Sequence, residues 1–156
     1  MNNTIKFIIS IFTPLIVGGL SGFFTTNSIS GWYTTLQKPS FNPPNWIFGP
    51  VWTTLYLVMG ISLYRIWRLP ANSMRNRAIG VFFLQLILNF FWSLIFFRWQ
   101  AIQFALAEII LMWLAIALMI HLFRKMDAPA AYMNIPYLLW VSFATALNTA
   151  YAWLNA

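Results

Sequence analysis

The residues best placed to do chemistry in this sequence are indoles, with a few amides beside them. Gln85, Asn89 and Trp92 follow i, i+4, i+7 and share one helical face. Trp140, Ala144 and Asn148 follow i, i+4, i+8, and Trp52 and Tyr56 stand one turn apart. Each face is a broad aromatic wall with few polar points, the make-up of a pocket for a flat, largely apolar ligand. The same amides also suit a second role, hydrogen-bonding one membrane helix to another. Aromatic core packing accounts for one or two of the indoles without any ligand.

Conventional catalytic groups are scarce. The chain has no cysteine, which excludes thiolate catalysis, disulfides and zinc-thiolate sites. His121 is the only histidine, so haem ligation by paired histidines is excluded, and no metal site is expected. No lysine lies mid-span, which counts against a retinal Schiff base. Glu108 is the one acid inside such a run, and an acid there is a functional candidate by default. A lone carboxyl makes no proton relay, so a structural role is expected, with the acid either protonated or satisfied by Gln103 or another helix. Any redox chemistry would fall on an oxidisable indole, with Trp52 and Trp140 as the candidates.

The elements that must position these groups follow from composition. The chain is 61% hydrophobic and only 7% charged, against about 25% charged in a soluble domain. The expected solvent is lipid, and the expected fold is all-α. A spanning helix needs about 20 apolar residues. Five runs qualify: residues 5–25, 45–67, 78–97, 101–123 and 131–154. The breaks between the last four are short, so residues 1–156 form a single domain, a five-helix bundle. The first run follows Lys6 in the manner of a signal peptide, but it is long and no small-x-small site ends it, so a retained helix is expected.

The net charge of +7 does not indicate nucleic acid, because the basic residues sit at the edges of the apolar runs. With five spans, Lys6, Arg65, Arg68, Arg75, Arg77, Arg124 and Lys125 fall on the N-terminal side, and Lys38 and Arg98 on the other. That bias predicts a cytoplasmic N-terminus. The connector "WYTTLQKPSFNPPNWIFGPVW" (32–52) then lies on the opposite face. Pro39, Pro43 and Pro44 restrict φ and favour extended backbone, which predicts an ordered cap rather than a floppy loop. Pro44 suits the first turn of the second helix, and Gly49-Pro50 is expected to kink it.

Of the nine tryptophans, Trp32, Trp46, Trp67, Trp99 and Trp153 fit an interfacial belt. Trp52, Trp92, Trp113 and Trp140 lie roughly 10 Å or more from the nearer helix end, and an indole N–H at that depth wants a partner. Gly18 and Gly22 have the GxxxG spacing, which marks either an intramolecular contact or a dimer seam. Val58, Tyr64 and Arg68 fit a loose cholesterol-contact pattern that often arises by chance.

Three stretches carry a resemblance: "WYTTLQKPSFNPPNWIFGPVWTTLY", "LQLILNFFWSLIFF" and "PYLLWVSFATALN". Over nearly the whole chain the sequence resembles the translocator protein family, also known as tryptophan-rich sensory proteins (TspO). The resemblance implies a five-helix bundle, often dimeric, in a bacterial cell membrane, whose first connector folds over a ligand cavity. It implies binding of porphyrins such as protoporphyrin IX, of benzodiazepine-site drugs and, in animal members, of sterol. No cofactor is implied beyond porphyrin as ligand. By motif position the pocket residues would be Trp52, Asn89, Trp92, Trp140, Ala144 and Asn148, with Trp32 and Tyr33 from the connector; Tyr56 joins them from its spacing. One departure concerns sterol: Tyr151 is followed by "AWLNA", without the basic residue of the animal motif. Three functions are open on this reading: a porphyrin sensor, sequesterer or translocator; an enzyme degrading porphyrin with light and oxygen; or a structural partner whose pocket is incidental.

Overall fold

The computed structural model describes residues 2–156, and those residues form helices and turns with no strand. The order is α1 (Asn3–Ser30), α2 (Trp32–Thr35), a 3₁₀ turn (Asn45–Ile47), α3 (Phe48–Trp67), α4 (Ser73–Ser93) running into a π-helical segment (Leu94–Arg98), α5 (Ile102–Arg124), α6 (Ala128–Tyr132) and α7 (Ile135–Leu154). Five stretches are long and apolar enough to cross a membrane: Asn3–Ser30, Asn45–Trp67, Ser73–Arg98, Ile102–Arg124 and Ala128–Leu154. Large apolar side chains such as Phe23, Phe104, Leu111 and Trp153 face outward, which costs nothing where the surroundings are hydrocarbon.

Several boundaries differ from the apolar-run reading, and polar residues explain each difference. α1 continues past Thr25 because its hydroxyls are satisfied within the helix: Thr25 Oγ1 donates to Ser21 O at 2.7 Å and Thr26 Oγ1 to Gly22 O at 2.6 Å. α4 starts at Ser73, five residues earlier than expected, because Asn72 caps it, its side chain accepting from Arg75 N at 2.8 Å. The fifth span is two helices. Asp127 caps α6, Asn134 breaks the helix, and Pro136 sits in the first turn of α7, where its missing N–H is harmless. Gly49-Pro50, the site of the expected kink, falls at the very start of α3 rather than inside it. Pro50 lies in the first turn of α3, and the irregularity is a change of helix type between Ile47 and Phe48.

α3, α4, α5 and α7 share one core, with Met59, Leu63, Ile66, Phe82, Ile109, Met112, Phe123, Tyr137 and Val141 fully enclosed. A chain of side-chain hydrogen bonds crosses it. Tyr56 Oη donates to Asn89 Oδ1 at 2.6 Å, Asn89 Nδ2 to Tyr137 Oη at 3.1 Å, and Tyr137 Oη to Gln85 Oε1 at 2.7 Å. At the end bearing most of the basic residues, Arg65 pairs with Asp127 at 3.0 Å. Asn134 Nδ2 donates to Ser62 Oγ at 2.9 Å. Lys6 Nζ reaches Trp67 O at 3.2 Å, and Arg75 reaches Leu69 O at 2.7 Å, so cations meet carbonyls at the C-terminus of α3.

α1 joins this core through small residues. Pro14, inside α1, cannot donate to Ser10 O, and that carbonyl faces Gly60. A Cβ at Gly60 would stand 2.7 Å from Ser10 O and 2.8 Å from Ile11 Cα. Gly60→Ala should therefore push α1 off α3. Overpacking costs about 1–3 kcal/mol, and the better helix propensity of alanine returns up to about 1 kcal/mol. A clear drop in thermal midpoint in detergent is expected. Gly80→Ala, whose Cβ meets nothing within 4 Å, should leave the midpoint unchanged or raise it.

Candidate functional site

A cavity of about 400 Å³ opens among α1, α3, the end of α4 and α7, at the end of the bundle where the first connector lies. The volume is in the usual range for small-molecule sites. Aromatic rings form most of its wall. Trp52 stacks on Tyr56 with centroids 5.5 Å apart and meets Tyr137 edge-on at 6.2 Å. Trp140 packs against Phe48 at 5.9 Å and Phe143 at 5.6 Å. Trp92 leans on Phe96 at 5.6 Å. The π-helical turn widens the helix where α4 ends, and Phe96 and Phe97 both reach the cavity from it.

The polar atoms near this wall are mostly paired with one another. Trp92 Nε1 donates to Asn148 Oδ1 at 3.0 Å, and Asn148 Nδ2 donates to Ile102 O at 3.0 Å. The Tyr56 hydroxyl is taken up by Asn89. Trp140 Nε1 and Ser21 Oγ are buried at this wall without a hydrogen-bond partner. The cavity therefore presents mainly ring faces, with its amides spent and a few donors free.

The connector closes one end. α2 buries Tyr33, whose hydroxyl donates to Asn42 Oδ1 at 3.2 Å and accepts from Tyr151 Oη at 2.7 Å. Tyr151 also reaches Asn42 Oδ1 at 2.9 Å. Burial holds the Tyr33 phenol above its ordinary range, against the pull of its hydrogen bonds to Tyr151 and Asn42. It remains a donor well into alkaline pH. Lys38 Nζ sits 5.0 Å from the centre of the Tyr33 ring, a cation–π contact. Beyond it, Gln37 N donates to Asn155 Oδ1 at 2.9 Å, and Asn155 Nδ2 donates back to Gln37 O at 3.0 Å. The connector is thus bonded to the last turn of α7 at two points.

Of the residues singled out from the sequence, Tyr33, Trp52, Tyr56, Trp92, Trp140, Ala144 and Asn148 line the cavity. Asn89 and Trp32 do not. Asn89 is buried behind Tyr56 in the interhelical chain, and Trp32 packs edge-on against Phe96 at 6.0 Å. Gln85 is held in the same chain as Asn89. Trp113 bonds Ser142 Oγ at 2.8 Å, away from the cavity. Glu108 is buried with neither carboxyl oxygen paired, and Gln103, one of the partners considered for it, is exposed. Gly18 abuts the Tyr56 ring, an intramolecular contact, and Gly22 lines the cavity while remaining exposed.

Phe48, Phe96 and Tyr151 were missed, although helical spacing marks them: Phe48 is i−4 from Trp52, Phe96 is i+4 from Trp92, and Tyr151 is i+3 from Asn148. Ser21 and Thr25 of α1 also line the cavity. They lack an aromatic signal.

Two of the wall indoles should differ in what they give to stability. Trp92→Phe strands Asn148 Oδ1 in a buried position, an expected cost of about 1–3 kcal/mol. Trp140→Phe breaks no hydrogen bond. Thermal melts of the two variants in the same detergent should show Trp92→Phe as the less stable.

The sequence matches the TspO/MBR family over residues 10–154. It is 42% identical to a tryptophan-rich protein TspO from Archaeoglobus fulgidus, over 99% of each chain. It is 36% identical to a tryptophan-rich sensory protein from Cereibacter sphaeroides, covering 75% of this chain and 72% of that one. The human translocator protein is 38% identical, over 75% of this chain and 70% of its own.

Proposed function

This chain belongs to the TspO/MBR family, and from that premise we propose that it is a membrane tetrapyrrole-binding protein that senses, sequesters or moves protoporphyrin IX. The observation that carries this reading is the aromatic cavity in which Trp92, Asn148 and Tyr56 spend their dipoles on other protein groups, closed at one end by a hydrogen-bonded connector. A flat macrocycle gains about 0.5–1.5 kcal/mol per aromatic contact beyond area burial. It also leaves few wall dipoles newly unsatisfied. Benzodiazepine-site ligands share that flat, aromatic character.

A second reading has its own support. Trp52, stacked on Tyr56, and Trp140, with its unpaired N–H, put oxidisable indoles at the cavity wall. A bound porphyrin excited by light, with dioxygen present, would supply the oxidising chemistry, and these indoles would be the protein groups it meets.

Orientation follows from charge. Seven of the nine cations lie toward the end that holds Asn2 and the α5–α6 turn, a bias that supports a cytoplasmic N-terminus. Reporter fusions at the two termini should report opposite compartments, with the N-terminal one cytoplasmic.

The pocket assignment is tested at Ala144, which is 9% exposed and lines the cavity. Ala144→Phe should fill the space and abolish quenching of tryptophan fluorescence by protoporphyrin IX while the thermal melt stays near wild type. Wild-type affinity in a folded Ala144→Phe protein would place the ligand elsewhere. In the same titration Trp140→Phe should weaken binding by about tenfold or less, a loss near 1.4 kcal/mol. On the enzymatic reading, illumination separates the two roles: Trp140→Phe should slow breakdown far more than it weakens binding.

A further inference from the structure

α1 changes partners along its length. Up to Gly18 it packs on α3: Phe7 meets Tyr64 edge-on at 5.2 Å, Ser10 and Ile11 lie against Gly60, and Gly18 abuts Tyr56. Beyond Gly18 it turns toward the end of α4. Phe24 meets Phe90 at 6.4 Å, and Ile29 packs with the cluster formed by Tyr33, Phe96, Ala105 and Tyr151. Two antiparallel helices that touch at one end and part at the other leave a tapering seam between them. By helical rise, the antiparallel contact of Gly18 with Tyr56 sets Gly22 of α1 across from the first turns of α3.

The edges of that seam carry little side chain. Gly19 and Gly22 on α1, and Gly49 and Thr53 on α3, all line the cavity and all are exposed. A Cβ at Gly19, Gly22 or Gly49 would meet nothing within 4 Å. These glycines differ in kind from Gly18 and Gly60, where a side chain has no room. Here a side chain would fit, and it would fill the gap.

We infer that the α1–α3 seam is a lateral portal, through which the cavity takes its ligand from the bilayer. The ligand class is then a molecule dissolved in lipid, and the connector is a fixed roof, pinned by the bonds of Tyr33, Asn42 and Asn155. The identity of the ligand rests on the reading above; the existence of the portal does not.

Because the chain has no cysteine, a single thiol can report access without any porphyrin. Ala144→Cys puts it in the cavity. In phosphatidylcholine vesicles, a lipid-dissolved pyrenyl maleimide should label this thiol faster than a charged, water-soluble sulfonate reagent does. Adding Gly22→Leu and Gly49→Leu should slow the lipid-borne labelling by about tenfold or more, a barrier increase of about 1.4 kcal/mol. Adding Gly80→Leu, a leucine placed where nothing lies within 4 Å and away from the seam, should not. Lipid-borne labelling unchanged by the seam leucines, or a charged reagent that labels as fast, overturns the portal. If the double variant does not fold, the single variants carry the same comparison. A second arm follows protoporphyrin IX without the introduced thiol. The seam leucines should slow its association and dissociation together. A loss of affinity with unchanged association would make the seam residues ligand contacts and overturn the portal. If labelling behaves as expected and wild-type protein binds no protoporphyrin IX, the portal stands and the porphyrin assignment falls.

Discussion

Hydrocarbon offers no hydrogen bonds, so polar side chains inside the bundle must find one another. The chain from Tyr56 through Asn89 and Tyr137 to Gln85 answers that constraint, and the rest of the cavity depends on it. It sets α3, α4 and α7 at one level. An aromatic residue stands one turn from each of three members: Trp52 four before Tyr56, Trp92 three after Asn89, Trp140 three after Tyr137. α3 runs away from the connector while α4 and α7 run toward it, so all three indoles lie on the connector's side of the network. The hydrogen-bonded layer is a floor, and the indoles stand on it as walls.

The other polar pairs repeat this logic nearer the roof. Asn148 spends its oxygen on Trp92 and its nitrogen on the carbonyl that begins α5. Tyr151, Tyr33 and Asn42 satisfy one another. A buried amide in a membrane helix is therefore weak evidence of ligand contact when another helix can use it. Asn89, a candidate ligand residue by motif, belongs to the floor, and its neighbour Tyr56 meets the cavity instead. Glu108 breaks the pattern, buried with both oxygens unpaired.

The sequence made the spans legible because apolar length is a direct consequence of bilayer thickness. It made the shared faces legible because 3.6-residue spacing survives any tertiary arrangement. Thus Trp52, Trp140, Ala144 and Asn148 were found without knowing how the helices pack. Boundaries were less legible, since Asn72, Asp127 and Asn134 act through single hydrogen bonds that hydropathy does not see. The wall supplied by α1 was not legible at all. Gly18, Ser21, Gly22 and Thr25 read equally well as a packing stripe, a dimer seam or a cavity lining, and only the position of Tyr56 decides among them.

α1 also differs in how it is held. Its buried residues are Ser10, Pro14, Ser21 and Thr25, while its aromatics Phe7, Phe12, Phe23 and Phe24 face outward. Among the described residues, its only side-chain hydrogen bond to another span is Lys6 to Trp67 O, at the end far from the cavity. α3, α4 and α7 are locked together at the floor by bonds that are costly to break where water cannot replace them. α1 is held beside them by van der Waals contact, which falls off with small separations. Of the helices around the cavity, α1 can therefore shift with the least loss of bonding, and it borders the open seam. A rigid three-helix cup with one loosely held wall can change the width of its side opening without disturbing the aromatic surface that would hold a ligand.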